Sequence, residues 1–307
     1  MSHRSQLALG LLLGSALDGV VADPRRGHPV AAFGTAAGAL ERRMWADSKT
    51  RGAAFTALCV GSTCVVGRVA EVRAGHARVA VIAAATWTVL GSRSLRSEAA
   101  AVGDLLEASD LPGARQRVTH LVGRDPSAQD EAGVARAAVE SVAENTCDAV
   151  VAPLFWGAIA GVAGLLGYRA VNTLDAMIGH RSARYARFGW AAARLDDVAN
   201  ALPARITAGL AAAVAPVVGG EPLRTLRTAA RDGRKHPSPN SAVSEAAFAG
   251  ALGLRLGGRN VYQGRTEDRP VLGDGVAPGP ADIRRANRLC AGVTLAAAAA
   301  AAVIARR

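Results

Sequence analysis

The sequence predicts an all-α, polytopic integral membrane helix bundle, with about four to six spanning or re-entrant helices and polar loops that carry the motifs. Three observations predict it. Half of the 307 residues are hydrophobic, only 4% are aromatic, and the mean hydropathy is +0.18, which is too apolar for an ordinary soluble domain. Residues 149–168 are long enough to make about 30 Å of helix, the thickness of a hydrocarbon core, with charges only at the flanks. The charged residues gather in the polar segments 23–51, 92–148, 169–200 and 221–285, between the apolar runs.

The elements follow in chain order. The first apolar run, 6–22, is preceded by His3 and Arg4, and Val20-Val21-Ala22 reads as a cleavage site. Asp18 inside the run, with Asp23-Pro-Arg-Arg-Gly-His-Pro29 directly after it, favours a retained helix. Runs 53–67 and 79–91 are further candidates. Helical composition at 93–109 and 130–144 is separated by the turn signal Leu111-Pro-Gly. Residues 149–168 then read as a span or a deep re-entrant segment, and 202–220, with Pro203, Arg205 and Pro216, as an irregular span. Asp232-Gly-Arg-Lys-His-Pro-Ser-Pro-Asn240 cannot be helical. Ser241 or Ser244 can cap the helix of small residues that follows, Glu245-Ala-Ala-Phe-Ala-Gly-Ala-Leu. The last run, 286–304, is so rich in alanine that its insertion is marginal. One membrane-embedded domain over residues 1–307 accounts for this pattern.

A net charge of +11 and a sequence pI near 10.8 raise the question of nucleic acid. No stretch interleaves aromatic with basic residues, so the charge is assigned to loops facing anionic lipid and anionic ligands. The four cysteines, Cys59, Cys64, Cys147 and Cys290, show no ligand spacing and read as small apolar residues.

The chemistry concentrates in four clusters. In Glu140-Ser-Val-Ala-Glu-Asn-Thr-Cys-Asp148, a straight helix puts Glu140, Glu144 and Asp148 on one face with Asn145 beside them. Three acids so placed repel one another unless a cation sits between them, and Mg²⁺ is the natural candidate. Asn172 and Asp175 share a face at i, i+3, and Asp196 with Asp197 make a second acidic point, also of Mg²⁺-binding type. The alternative is pairing of these aspartates with Arg169, Arg181 and Arg194. The loop 231–240 masses Arg231, Arg234, Lys235 and His236 before Asn240 and a helix start, the make-up of a phosphate-binding loop. No Walker A motif occurs. Asp18, Asp23, Pro24, His28 and Pro29 form the fourth cluster.

Taken together, in order along nearly the whole chain, these motifs resemble the CobD/CbiB family of cobalamin biosynthesis, the adenosylcobinamide-phosphate synthases. Ala152-Pro-Leu-Phe-Trp156, Asn172-Thr-Leu-Asp-Ala-Met-Ile-Gly179 and Arg194-Leu-Asp-Asp-Val-Ala-Asn200 complete the set. Departures from the family pattern at Cys147, Ala149, His180 and Ser244 remove no charged motif residue. The resemblance implies a multi-pass enzyme of the cell membrane. It would join a propionate carboxylate of adenosylcobyric acid to aminopropanol or its O-phosphate, with other enzymes of the pathway as possible partners and no nucleic acid. Amide formation from a free carboxylate needs activation, which ATP with Mg²⁺ can supply. Residue chemistry then assigns metal to Glu140, Glu144, Asp148, Asp175, Asp196 or Asp197, and phosphate to Arg231, Arg234 and Lys235. Asn145, Asn172 and Asn240 join as polar substrate contacts, and His28, His236 or Lys235 as catalytic groups.

Two other classes fit parts of the pattern. Membrane prenyltransferases hold a diphosphate through Mg²⁺ on Asp-rich motifs and need no ATP. A transporter would place its charges within spans, whereas here they lie between them. If every apolar run crosses, residues 169–200 lie on the opposite membrane face from 92–148 and 221–285. Either 149–168 and 202–220 both turn back, or the 172–200 motifs reach inward from the far side. The irregular 202–220 run favours the first arrangement.

Overall fold

The structure is a computed structural model that describes all residues but 22–26, 181, 236–237 and 263–264, and leaves the side chains of 260–267 aside. Asp23 and His236 therefore lie outside the described residues. Helices α1 (His3–Val20), α2 (Pro29–Met44), α3 (Lys49–Arg73), α4 (Arg78–Val89), α5 (Ser92–Glu107), α6 (Leu111–Val118) and α7 (Glu131–Thr146) lead to α8 (Ala152–Leu174) and α9 (Trp190–Val214). After α10 (Pro222–Asp232) and α11 (Ser241–Leu252) come strands β1 (Leu256–Tyr262) and β2 (Arg265–Leu272), and α12 (Pro280–Arg306) closes the chain. The bundle is helical as the sequence predicts, with one antiparallel β-hairpin added. Among the described residues four helical stretches, Lys49–Arg73, Glu131–Gly179, Trp190–Val218 and Pro280–Arg306, are long and apolar enough to cross a membrane. Along α3, Val65, Val66 and Val72 are each more than 60% exposed, an apolar face suited to lipid and costly in water.

The chain packs as two compact units. One comprises Met1–Gly91, Asp148–Ala201 and Ala297–Arg307, the other Ser92–Cys147 and Leu202–Ala296. In the first, the runs read at 6–22 and 79–91 form a close pair. A Cβ on Gly10 or Gly14 of α1 would fall 2.6 or 2.4 Å from Ile82 or Thr86 of α4, so glycine sets the helix separation. Phe55 and Phe188, with ring centroids 5.3 Å apart, anchor a core shared by Ala37, Leu174 and Ile178.

The run at 149–168 turns back. Gly161 has φ 62° and ψ −143°, a conformation that glycine alone adopts readily, in the middle of α8. A Cβ on Gly164 would lie 2.1 Å from the Trp156 carbonyl, and one on Gly157 2.7 Å from the Leu165 side chain. Residues eight apart in a straight helix are about 12 Å apart, so these approaches require a reversal at Gly161. The second arm then runs down α3, with Val162 and Ala163 against Gly67 and Gly167 against Cys64. At the apex the buried Glu71 carboxylate accepts the Val162 N–H at 3.0 Å, capping the second arm, and pairs with Arg78 at 2.5 Å.

The run at 202–220 behaves otherwise, correcting the expectation that both runs reverse together. Helix α9 continues through Pro203 without a break. Proline at 203 has no N–H for the carbonyl four residues earlier, and the Trp156 indole donates to that Ala199 carbonyl at 3.0 Å instead.

In the second unit, α10 packs on α11 where Gly250 faces Thr225 and Thr228. Every residue of α11 from Ala242 to Leu252 is buried, Glu245 included. The β-hairpin carries an irregularity between Leu256 and Gly258, where Gly257 and Gly258 have φ of 80° and 88°. This bulge turns the Gly257 N–H out of the ladder.

Candidate functional site

The predicted residues fall into three local groups. The first lies at the mouth of the helical hairpin. Both arms end in π-helical turns, Cys147–Val151 at the entrance and Asp175–Gly179 at the exit, and such turns concentrate at functional sites. The entrance turn also breaks the straight face expected for Glu140, Glu144 and Asp148. Helix α7 ends at Thr146, and Asp148 stands in the π-helical turn that follows. At the exit, Asp175 and Asn172 lie near Asp196, with Asp197 beside it. Asn200 donates to Asp196 Oδ2 at 3.0 Å and accepts from the Tyr168 hydroxyl at 2.8 Å. Asp197 pairs with Arg194 at 3.3 Å, the arrangement weighed in the sequence, while Asp196 pairs with no arginine among the described residues. Its Oδ1 is buried without a hydrogen-bond partner among the described residues. Leaving a buried carboxylate oxygen unsatisfied costs free energy that a bound cation would recover.

The second group surrounds a polar cavity of ≈ 190 Å³ in the other unit. Glu140 and Glu144 line it one helical turn apart on α7, and Glu245 faces them from α11. Arg124 meets Glu140 Oε2 at 2.6 Å, and the Gly257 N–H released by the β-bulge donates to Glu140 Oε1 at 2.7 Å. Arg269 of β2 also lines the cavity. Burial pushes the Glu245 carboxyl well above its ordinary value. Glu140 and Glu144 push it the same way, and Arg269 and Arg124 act against them.

The third group is the basic loop. Arg231 forms a bidentate pair with the buried Asp232, at 2.9 and 2.8 Å, and reaches Asp274 at 3.0 Å. Lys235 meets the other side of Asp232 at 2.6 Å, and the Gly273 N–H completes its shell at 2.8 Å. Burial alone would raise the Asp232 carboxyl, but these donors outweigh it and hold the group far below the ordinary carboxylate range. Two of the three cations assigned to phosphate are thus engaged by one aspartate. Arg234 is exposed and makes no ion pair among the described residues. Asn240 accepts from Arg205 at 2.6 Å, which fixes the loop's exit.

The remaining candidates have local partners. His28 is the N-cap of α2, its Nδ1 accepting the Val30 N–H at 3.2 Å. Asn145 donates to the Ser141 carbonyl at 2.9 Å, and Asp18 is buried on α1.

Among the described residues no three His, Cys, Asp or Glu side chains form a ready-made metal cage. Mg²⁺ needs none, since it is commonly held by one or two carboxylates, waters and substrate phosphates. The hard oxygens of Asp175, Asp196 and Asn172, with the orphaned Asp196 Oδ1, fit that mode. The Glu140 carboxylate, engaged by the Arg124 and Arg136 guanidiniums and a backbone N–H, fits it less well.

Comparison with known proteins places this architecture. The CobD/Cbib protein family matches residues 11–290. The chain belongs to the CobD/CbiB family. It is 50% identical over 301 residues to the cobalamin biosynthesis protein CobD of Mycobacterium tuberculosis strain ATCC 25618 / H37Rv, covering 98% of this chain and 96% of the relative. It is 45% identical to the cobalamin biosynthesis protein CobD of Rhodobacter capsulatus strain ATCC BAA-309, over 88% of each chain. The protein of the same name from Geobacter metallireducens is 44% identical over 85% of each. No solved structure matches. In this CobD/CbiB chain the sequence motifs gave Glu140 and Glu144 but not their companions Arg124, Glu245 and Arg269. The available signal was Glu245 itself, a lone acid in a helix otherwise built of small and apolar residues.

Proposed function

We propose that this chain is an adenosylcobinamide-phosphate synthase of the cell membrane. It would form an amide between a propionate carboxylate of adenosylcobyric acid and (R)-1-aminopropan-2-ol or its O-phosphate. The observation that carries the reading is the buried Asp196 Oδ1, which has no close hydrogen-bond partner among the described residues and lies beside Asp175 and Asn172, in a chain of this family.

ATP with Mg²⁺ would supply the activation, passing its γ-phosphoryl group to the carboxylate with release of ADP, and the amine would displace phosphate from the acyl phosphate. Asp175 and Asp196 would hold the metal, with Asp197 steadied by Arg194. Arg234 contacts phosphate oxygens. Arg231 and Lys235, pinned by Asp232, hold the loop in a shape that leaves them beside it. His28 serves as a helix cap, which leaves His236 and the cavity carboxylates as candidates for taking the ammonium proton.

The test is turnover by membranes containing the protein, given adenosylcobyric acid, either amine donor and Mg²⁺, with and without ATP. The corrinoid should gain the amine's mass only with ATP. No product with either donor would refute the ligase reading, and prenyl transfer, which needs no ATP, would then be assayed against a prenyl diphosphate.

A further inference from the structure

A cavity of ≈ 610 Å³ opens beside the apex of the helical hairpin, within the first unit. Arg68, Glu71 and Val72 line it from α3, Arg78 from the start of α4, and His3 and Gln6 from α1. The one acid in its lining, Glu71, is already committed, to Arg78 at 2.5 Å and to the Val162 N–H at 3.0 Å. The cations are not matched. Among the described residues Arg68 makes no ion pair or side-chain hydrogen bond, and the Arg78 guanidinium has Glu71 as its only partner.

The surroundings of Arg68 restrict what can answer its charge. Val65 and Val72 stand on the same face of α3, one turn before and one turn after it, and each is 62% exposed. Helix α3 is among the stretches long and apolar enough to cross a membrane, and Arg68 lies about 7.5 Å before its end at Arg73. An exposed guanidinium in an apolar stripe at that depth is costly in hydrocarbon, so it extends toward the headgroups with its stem on the valines. The start of α4 brings Arg78 to the same cavity, and two guanidiniums thus converge at the level of lipid phosphates. Guanidiniums hold phosphate oxygens through paired, charge-assisted hydrogen bonds, and basic pockets between membrane helices take anionic headgroups. We propose that this cavity seats the headgroup of an anionic phospholipid, with Arg68 and Arg78 on its phosphate oxygens and its acyl chains along Val65 and Val72. The site does not depend on the ligase reading, since it lies at the apex of the hairpin and the acidic group of Asp175 and Asp196 lies at the mouth. Because Arg78 also holds Glu71, the bound lipid supports the cap on the second arm and with it the reversal at Gly161.

The test titrates the purified full chain in detergent with phosphatidylglycerol and reads binding of the first lipid by native mass spectrometry. Phosphatidylcholine, whose headgroup carries no net charge, and inorganic phosphate serve as comparison ligands. The wild type should bind phosphatidylglycerol about tenfold or more tightly than phosphatidylcholine, and inorganic phosphate at equal concentration should not displace it. Arg68→Gln should weaken phosphatidylglycerol about tenfold or more. Arg255→Gln, an equal charge change on an exposed arginine of the other unit, should leave it unchanged. Arg68→Gln breaks no ion pair among the described residues, so the thermal midpoint without lipid should hold, and only the rise that phosphatidylglycerol brings should be lost. Equal affinity in the wild type and Arg68→Gln overturns the proposal, as does an equal loss in Arg255→Gln or equal affinity for the two lipids. Displacement by inorganic phosphate overturns the lipid as occupant and makes the site one for soluble phosphate.

Discussion

Gly161 is the position on which the first unit's architecture can be tested most sharply. Replacing it by alanine acts twice. A side chain at φ 62° and ψ −143° costs about 1–3 kcal/mol in backbone strain. The added Cβ would also lie 2.4 Å from Glu71 Oε2, so the carboxylate must withdraw. Withdrawal forfeits its hydrogen bond to the Val162 N–H, about 1.5–3 kcal/mol for a bond to a charged group. The sum, about 2.5–6 kcal/mol, lowers the folded-to-unfolded ratio by roughly two to four decades, a large part of a typical net stability of about 5–15 kcal/mol. The assay is the thermal midpoint in detergent, followed by tryptophan fluorescence. Gly209→Ala on α9 is the control, because a Cβ there meets nothing within 4 Å and alanine is the better helix former by about 1 kcal/mol. Equal midpoints for the two variants would refute the reversal and the role of Glu71 at its apex.

Other expected outcomes follow from the site. Asp196→Asn should raise the Mg²⁺ concentration needed for half-maximal turnover by about tenfold or more while the thermal midpoint changes little, and titration of turnover against Mg²⁺ reads this. Arg234→Ala should raise the KM for ATP more than the KM for the amine donor, measured by initial rates. Asp232→Asn should destabilise the protein at neutral pH. The folded-state value of Asp232 lies below its unfolded value of about 3.9, so its contribution is full above that pH and is lost as pH falls toward the folded-state value. Melting curves of both proteins should therefore converge below about pH 4.

The sequence announced the helices well, because apolar runs and their flanking charges are local signals. Runs 53–67, 149–168 and 286–304 fall within, and 202–220 largely overlaps, the four stretches of the described residues long and apolar enough to cross a membrane. It offered Asn172 with Asp175, and Asp196 with Asp197 as a second acidic point, and the structure sets Asp175 and Asn172 near Asp196. The π-helical turn at Cys147–Val151, in which Asp148 stands, leaves no local mark in composition. Arg124, Glu245 and Arg269 come from segments far apart in the chain, and no spacing rule connects them. Asp232 lay inside a quoted motif, yet its grip on Arg231 and Lys235 depends on Gly273, 41 residues away.

The reversal at Gly161 also bears on how the protein enters its membrane. The first arm, residues 152–160, gives about 14 Å of helix and the second, residues 162–174, about 20 Å, against a hydrocarbon core of about 30 Å. The α-helical part of each arm is shorter than that core, and the π-helical turns at 147–151 and 175–179 extend them. The two arms fold back on each other, and the second packs on α3 where Val162 meets Gly67. Such a reversal adds no crossing. A count of apolar runs that treats it as one span would assign every later loop to the wrong side of the membrane.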